Sequence, residues 1–193
     1  IAGQAYAMFL PLYGAYNISN VLGVIAALLS LGVSADDAVA ACSQLRAVPG
    51  RMEVLQHTGW PTAVVDYAHT PDALEKSLQA LQPVTQAAGG KLWVVFGCGG
   101  NRDGSKRPLM GAAAQQNADI LVLTSDNPRD EDPAAIAQAI LAGMQKMPGR
   151  VELDRAAAIA WALDQDAPQD VVLIAGKGHE DYQEVRKKKT HFS

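Results

Sequence analysis

The chain has 193 residues, 49% of them hydrophobic and 19% charged, with 20 acidic against 16 basic side chains. That is enough for one good-sized α/β domain plus something extra, around a core of ordinary size. The net charge of −4 argues against a nucleic-acid-binding surface, where a basic balance is expected.

Residues 17–31 read as a buried helix rich in Ala, Leu, Ile and Val, with Gly32 near its end. Its apolar stretch, residues 21–33, is too short to span a bilayer. No basic segment leads into an apolar run with a cleavage site, so no signal peptide is read. Ser34 caps a second helix at 35–45, with Asp36 and Asp37 in the first turn, where the helix dipole favours anions. Pro49-Gly50 breaks the pattern and marks a boundary. Residues 1–48 are too few to fold independently and read as the tail of one domain; residues 49–193 read as a second.

Beyond the boundary, strands are predicted at 52–55, 63–66, 91–96, 120–124 and 171–175, and helices at 71–81, 106–116, 133–144 and 155–163. The last three strands are short apolar runs rich in β-branched residues, the pattern of strands buried on both faces. Pro71 and Pro133 suit first-turn helix positions. This alternation predicts an α/β fold with a Rossmann-like, doubly wound, mostly parallel sheet. The chain starts at Ile1 and stops at Ser193, shortly after Arg186 and three lysines, with no closing element. It therefore reads as a fragment of a longer protein. Cys42 and Cys98 are far apart and lack metal-ligand spacing, which fits a reduced cytosol and small packing residues.

Ligands of open α/β sheets bind outside the carboxyl ends of the strands. Four segments follow strands here: Asp66-Tyr67-Ala68-His69, residues 97–102 (Gly-Cys-Gly-Gly-Asn-Arg), Ser125-Asp126-Asn127-Pro128-Arg129, and Gly176-Lys177-Gly178-His179-Glu180. All are rich in glycine, charge or polar groups, and their convergence on one edge predicts a site. Glycines in 97–102 let a backbone approach a ligand, yet neither the dinucleotide fingerprint nor a phosphate loop is present. A tight turn with an exposed arginine accounts for that segment equally well. In Asp126–Arg129 a guanidinium fork suits a carboxylate, and Asp and Asn suit an ammonium; an Asx-Pro turn with solvated charges is the competing account. Lys177 and His179 fit either a ligand site or a solvated surface pair. His69 alone reads as structural, though behind Asp66 at a strand end it suits a nucleotide. Neither a nucleophile–base pair nor a metal-ligand cluster is read.

Asn17-Ile18-Ser19-Asn20, Pro49-Gly50-Arg51-Met52-Glu53, Asp66-Tyr67-Ala68-His69-Thr70-Pro71, residues 97–102, Asp126 to Arg129 and residues 176–183 stand in an order that resembles the Mur ligases, specifically those that add diaminopimelate. The resemblance covers essentially the whole chain. It implies ATP- and Mg²⁺-dependent joining of meso-diaminopimelate to UDP-N-acetylmuramoyl-L-alanyl-D-glutamate through an acyl phosphate, in the cytoplasm, as a step of peptidoglycan synthesis. Positioning and charge stabilisation then supply much of the acceleration.

On this resemblance residues 1–48 are the carboxy-terminal tail of the central ATP-binding domain, and residues 49–193 are the amino-acid-binding domain short of its last helix. Asn17 and Asn20 face the nucleotide, Arg51 contacts the ATP phosphates, and Asp66 meets the ribose with His69 nearby. Arg102, Asp126, Asn127, Pro128 and Arg129 recognise diaminopimelate, Arg129 reading its distal carboxylate, with Gly176 and Glu180 as further contacts. No catalytic residue or metal ligand is assigned, since the phosphate loop and the Mg²⁺-binding carbamylated lysine belong to segments outside this chain. The chain alone is expected to lack ligase activity. The competing readings are a related ligase with another acceptor, lysine or the glutamate tail of folate, and a non-catalytic nucleotide- or amino-acid-binding module.

Overall fold

The computed structural model describes residues 1, 3–10 and 12–192. The chain divides into two compact units, Ile1–Val48 and Pro49–Ser193, and the division falls at the Pro49-Gly50 break.

The first unit holds helices α1 (Ala15–Ser30) and α2 (Ala35–Cys42). α1 ends on Gly32, whose φ of +85° is the left-handed conformation of a helix stop. The Val33 N–H reaches back to Leu28 O and the Gly32 N–H to Leu29 O, so two carbonyls of the last turn are satisfied and the chain reverses at once into α2. Ser34 caps α2: its Oγ accepts the Asp37 N–H and its hydroxyl donates to the Asp37 carboxylate. Val21 and Ile25 of α1 pack on Ala38 and Cys42 of α2.

The second unit runs β1 (Glu53–Leu55), β2 (Thr62–Asp66), α3 (Pro71–Ala88), β3 (Leu92–Phe96), α4 (Lys106–Asn117), β4 (Ile120–Leu123), α5 (Pro133–Leu141), β5 (Arg150–Val151), α6 (Arg155–Gln165), β6 (Val171–Ala175), β7 (Tyr182–Val185) and β8 (Lys188–His191). Six strands form one sheet in the order β1-β2-β6-β3-β4-β5, parallel throughout except for β1. β3 lies inside the sheet with all five residues buried, as its continuous apolar run requires. The crossovers through α3, α4 and α5 advance across the sheet in one direction, whereas the one through α6 returns. Right-handed crossovers therefore put α6 on the opposite face. There Trp93, Val95, Val122 and Val172 pack against Ala158 and Ala162 of α6.

The helices expected at 35–45 and 133–144 each end three residues early, and three further departures have a plain physical cause. The helix expected to stop at residue 81 runs through Pro83 to Ala88, because its apolar face continues from Leu74, Leu78 and Leu81 to Thr85, and Gly89 at φ +70° ends it. β5 is a two-residue edge strand too short to carry a pattern. The basic run at 186–189, to which no strand or helix is assigned from sequence, forms the turn and the start of the outgoing strand of the β7–β8 hairpin. Arg186 and Lys187 sit at φ +46° and +63°. Positive φ at both central residues makes a two-residue turn whose twist matches the strands it joins.

Candidate functional site

The carboxyl ends of β2, β3, β4 and β6 open into a cavity of about 430 Å³. His69, Arg102, Asp126, Asn127, Arg129, Gly176 and Glu180 all line it, so seven of the residues singled out from sequence come together. Pro128 is buried beneath the loop instead of lining the cavity. Its carbonyl accepts the Glu131 N–H, and a Cβ on Gly100 would overlap that carbonyl. The Gly100 N–H donates to Asn127 O at 2.9 Å. The glycines after β3 thus serve close packing of two backbones as well as any ligand.

Arg129 holds a left-handed φ of +51°, unusual for a side chain of its size. The hairpin keeps it there: the Arg129 N–H donates to Glu184 O, and the Arg186 N–H donates back to Arg129 O. Its Nη1 donates to Gly100 O at 2.8 Å, and its Nε lies 3.5 Å from the Glu184 carboxylate. The guanidinium is therefore aimed before any ligand arrives.

Asp66 is 8% exposed and already accepts three hydrogen bonds, from the Met52 N–H (3.0 Å), the Ala68 N–H (3.2 Å) and the Ser77 hydroxyl (2.8 Å). Its carboxylate ties β2 to α3 and to the segment before β1. Arg51 lies over the Tyr67 ring at 4.2 Å, and the His69 ring meets that same ring edge-on. His69 Nδ1 is 2.7 Å from Tyr67 O, which makes Nδ1 the protonated nitrogen of the neutral ring and Nε2 the acceptor. Asn17 and Asn20 belong to the first unit, where Asn17 Nδ2 donates to Tyr13 O and Asn20 Nδ2 to Asn17 Oδ1. Among the described residues no cluster of three or more His, Cys, Asp and Glu side chains could hold a metal ion.

Several site residues escaped the sequence reading. Lys177, which the sequence leaves open between a ligand-site cation and a solvated surface group, is 3% exposed and lies behind the cavity wall; of the pair only His179 faces solvent, stacked on Tyr67. Arg107 holds Glu131 bidentately, both contacts at 2.8 Å. That hydrogen bonding keeps the Glu131 carboxyl below its ordinary range, with help from the Asn101 N–H, and raises the Arg107 guanidinium. Arg155, 2% exposed, donates to Ser125 O (3.3 Å) and Ala175 O (2.9 Å), joining the ends of β4 and β6. Burial lowers its pKa, while Asp126 and Glu180 oppose that. A sequence signal for both arginines existed: each sits in the first turn of a helix, where the dipole disfavours a cation, so each needs an anion or carbonyls from elsewhere. Cys98 lines the cavity with its thiol pushed up to about 12, first by burial and then by Asp126. It stays protonated at neutral pH and is no nucleophile.

The sequence matches the family described as "Mur ligase, glutamate ligase domain" over residues 50–178. It is 59% identical over 181 residues to the UDP-N-acetylmuramoyl-L-alanyl-D-glutamate–2,6-diaminopimelate ligase of Acidovorax sp. (strain JS42), covering 93% of this chain and 36% of that protein. It is 52% identical over 182 residues to the ligase of the same name from Chromobacterium violaceum, covering 94% of this chain and 37% of that protein. A solved structure of a ligase of that name superposes with a TM-score of 0.72 at 41% identity, covering 97% of this chain and 38% of that one. The chain thus spans little more than a third of the length of these relatives. With the family match running from Gly50 to Gly178, through three of the loops around the cavity and into the fourth, the chain belongs to the Mur ligase family.

Proposed function

We propose that this chain supplies the acceptor-binding part of an ATP-dependent acid–amino-acid ligase, one that adds meso-diaminopimelate to UDP-N-acetylmuramoyl-L-alanyl-D-glutamate in peptidoglycan synthesis. The observation that carries the reading is one cavity whose lining includes the guanidiniums of Arg102 and Arg129 and the carboxylates of Asp126 and Glu180, a third guanidinium, Arg107, being taken up by Glu131. Diaminopimelate has a carboxylate and an ammonium at each end, and such a lining answers both. Lysine lacks the second carboxylate, so it leaves a pre-aimed guanidinium without its partner. The likeness to ligases named for 2,6-diaminopimelate supports the same acceptor.

In the reaction proposed, the peptide carboxylate receives a phosphoryl group from ATP, because a free carboxylate resists attack by an amine. The acceptor amine then attacks the acyl phosphate, the amide bond forms and phosphate leaves. The residues of this chain bind and orient the acceptor so that its amine meets the activated carbonyl. Arg51 and His69, beside the Tyr67 ring, suit the phosphates and base of a nucleotide. Asp66, with three of its acceptor positions already used, has one more for a ribose hydroxyl. Asn17 and Asn20 are assigned to the nucleotide from the family motif. The UDP-sugar dipeptide and Mg²⁺ are assigned to parts of the ligase that the relatives carry and these residues do not match. A nucleotide-linked substrate and two free cysteines fit a cytoplasmic location.

The test is calorimetric titration of meso-diaminopimelate into the chain, with L-lysine as control. Diaminopimelate is expected to bind at least tenfold more tightly than lysine, and Arg129→Ala to abolish the difference. Equal binding of the two amino acids, or an unchanged Arg129→Ala variant, refutes the acceptor assignment. The isolated chain is expected not to turn over ATP with UDP-dipeptide; sustained turnover contradicts that expectation.

A further inference from the structure

Lys177 follows β6 between two glycines of positive φ, Gly176 at +114° and Gly178 at +52°, and its side chain turns into the protein below the cavity. Its Nζ donates to Asn127 Oδ1 and to Tyr182 O, both at 2.7 Å, and lies 3.5 Å from Asp126 Oδ1 and 4.0 Å from Glu180 Oε2. An ammonium has three N–H groups and no lone pair, so the Asn127 atom facing it must be the carbonyl oxygen. The Glu184 N–H converges on the same oxygen at 3.0 Å. A flipped amide would set its NH₂ against two donors at once.

With that orientation excluded, Asn127 Nδ2 has to face Glu180, and it donates to Oε2 at 2.9 Å. The Tyr67 hydroxyl reaches the other carboxylate oxygen, Oε1, at 3.4 Å. We infer that Lys177 is a positioning residue of the acceptor cavity: its buried ammonium decides which way the Asn127 amide faces, and through that amide it fixes the Glu180 carboxylate at the cavity wall, ready for a cationic amino group of the acceptor. The ligand in this inference rests on the acceptor reading above; the geometry does not.

The charges point the same way. Asp126 and Glu180 share their surroundings with two buried cations, Lys177 and Arg155, and the Tyr182 and Phe192 rings complete the wall around Nζ. Asp126 Oδ1 has no hydrogen bond among the described residues, and the Lys177 ammonium 3.5 Å away offsets its charge together with Arg155. Without Lys177, Asn127 Oδ1 keeps one donor of two, and the two carboxylates face each other with Arg155 as the remaining cation. The amide is then free to turn, and Glu180 loses the contact that aims it.

The experiment follows solvent exchange of the Asn127 side-chain amide by ¹H–¹⁵N NMR in the wild-type chain and in Lys177→Met, with meso-diaminopimelate titrated into both. The wild-type Asn127 amide protons are expected to exchange at least tenfold more slowly than those of the exposed Asn20. In Lys177→Met that protection is expected to fall to within about twofold of Asn20, and diaminopimelate affinity to drop at least tenfold, with the backbone signals of the sheet retained. A lysine that only stabilised the fold would leave the amide protected in the folded variant, and that result overturns the inference. So does a wild-type Asn127 amide exchanging as fast as Asn20, which decides the matter even where the variant does not fold. If the wild type binds no diaminopimelate while the protection is present and depends on Lys177, the acceptor reading fails and the positioning stands.

Discussion

The two ends of the parallel sheet bury charge in different ways. At the amino ends of the strands the charged groups are carboxylates, and most of their partners are backbone. Asp170 accepts from the Lys91 N–H (2.7 Å), the Ala167 N–H (3.2 Å) and the Trp93 indole N–H (3.1 Å), and Asp119 accepts from the Leu92 N–H (2.7 Å). These bonds join the starts of β3, β4 and β6 and leave little capacity over. At the carboxyl ends, cations and anions interleave: Lys177 with Asp126, Arg107 with Glu131, Arg129 with Glu184. There these paired charges are steadied by one another's side chains, and several still line a cavity. The amino end uses charge to tie strands together; the carboxyl end does so too, through Arg155, and also uses charge to aim charge.

Breaking each arrangement separately should give unequal losses. The largest is expected for Arg155→Met, which keeps most of the volume but removes a buried guanidinium joining the ends of β4 and β6. Two carbonyls lose their donor and Asp126 loses a cation, a change of about 3–5 kcal/mol for a broken buried charge network. All three tryptophans, Trp60, Trp93 and Trp161, lie in the second unit, so urea unfolding followed by tryptophan fluorescence reports on it alone. A loss below about 1 kcal/mol would mean that Arg155 is not the strut the geometry describes. Next comes Asp170→Ala, expected to cost about 2–3 kcal/mol by leaving two amides and a buried indole N–H without an acceptor. If Asp170→Ala proved the more damaging, the contrast between the two ends would have to be reversed.

The same contrast explains what sequence made legible. β3 reads as a strand because burial on both faces demands an unbroken apolar run, and the observed Leu92–Phe96 differs by one residue from the expected 91–96. The four loops around the cavity were found because strand–helix alternation implies which edge of the sheet they occupy. The hairpin was invisible: β8 is exposed at every residue, and its turn is Arg-Lys where Asn-Gly would have announced it. Lys177 was named as one of two alternatives, but its burial and partners were illegible for a different reason. A lysine among glycines at a strand end looks solvated, and only the fold brings Asn127, fifty positions earlier in sequence, to within 2.7 Å of it. Groups that line the cavity were readable from motifs; the side chains that hold those groups in place are set by long-range packing.

The smallest effect belongs to Asp166, the exception at the amino-end edge. Both of its carboxylate oxygens lack a hydrogen-bond partner among the described residues. Burial first, and then the charge of Asp170, raise its pKa from 3.8 to about 7. In the folded chain Asp166 therefore holds its proton through a range where the unfolded chain has released it. Stability is then greatest below the unfolded value, falls as pH rises from about 4 to about 7, and stays low above that, where both states are ionised but only the folded one confines the charge. Asp166→Asn removes the penalty. It should be close to neutral at the acid end of that window and stabilising at pH 8 by on the order of 1 kcal/mol, since the residue as a whole is only partly buried and solvent screens its charge. Urea midpoints measured across this range decide the point. A variant whose advantage is the same at every pH would show that Asp166 is not protonated in the fold, and would place it with the other carboxylates of its edge.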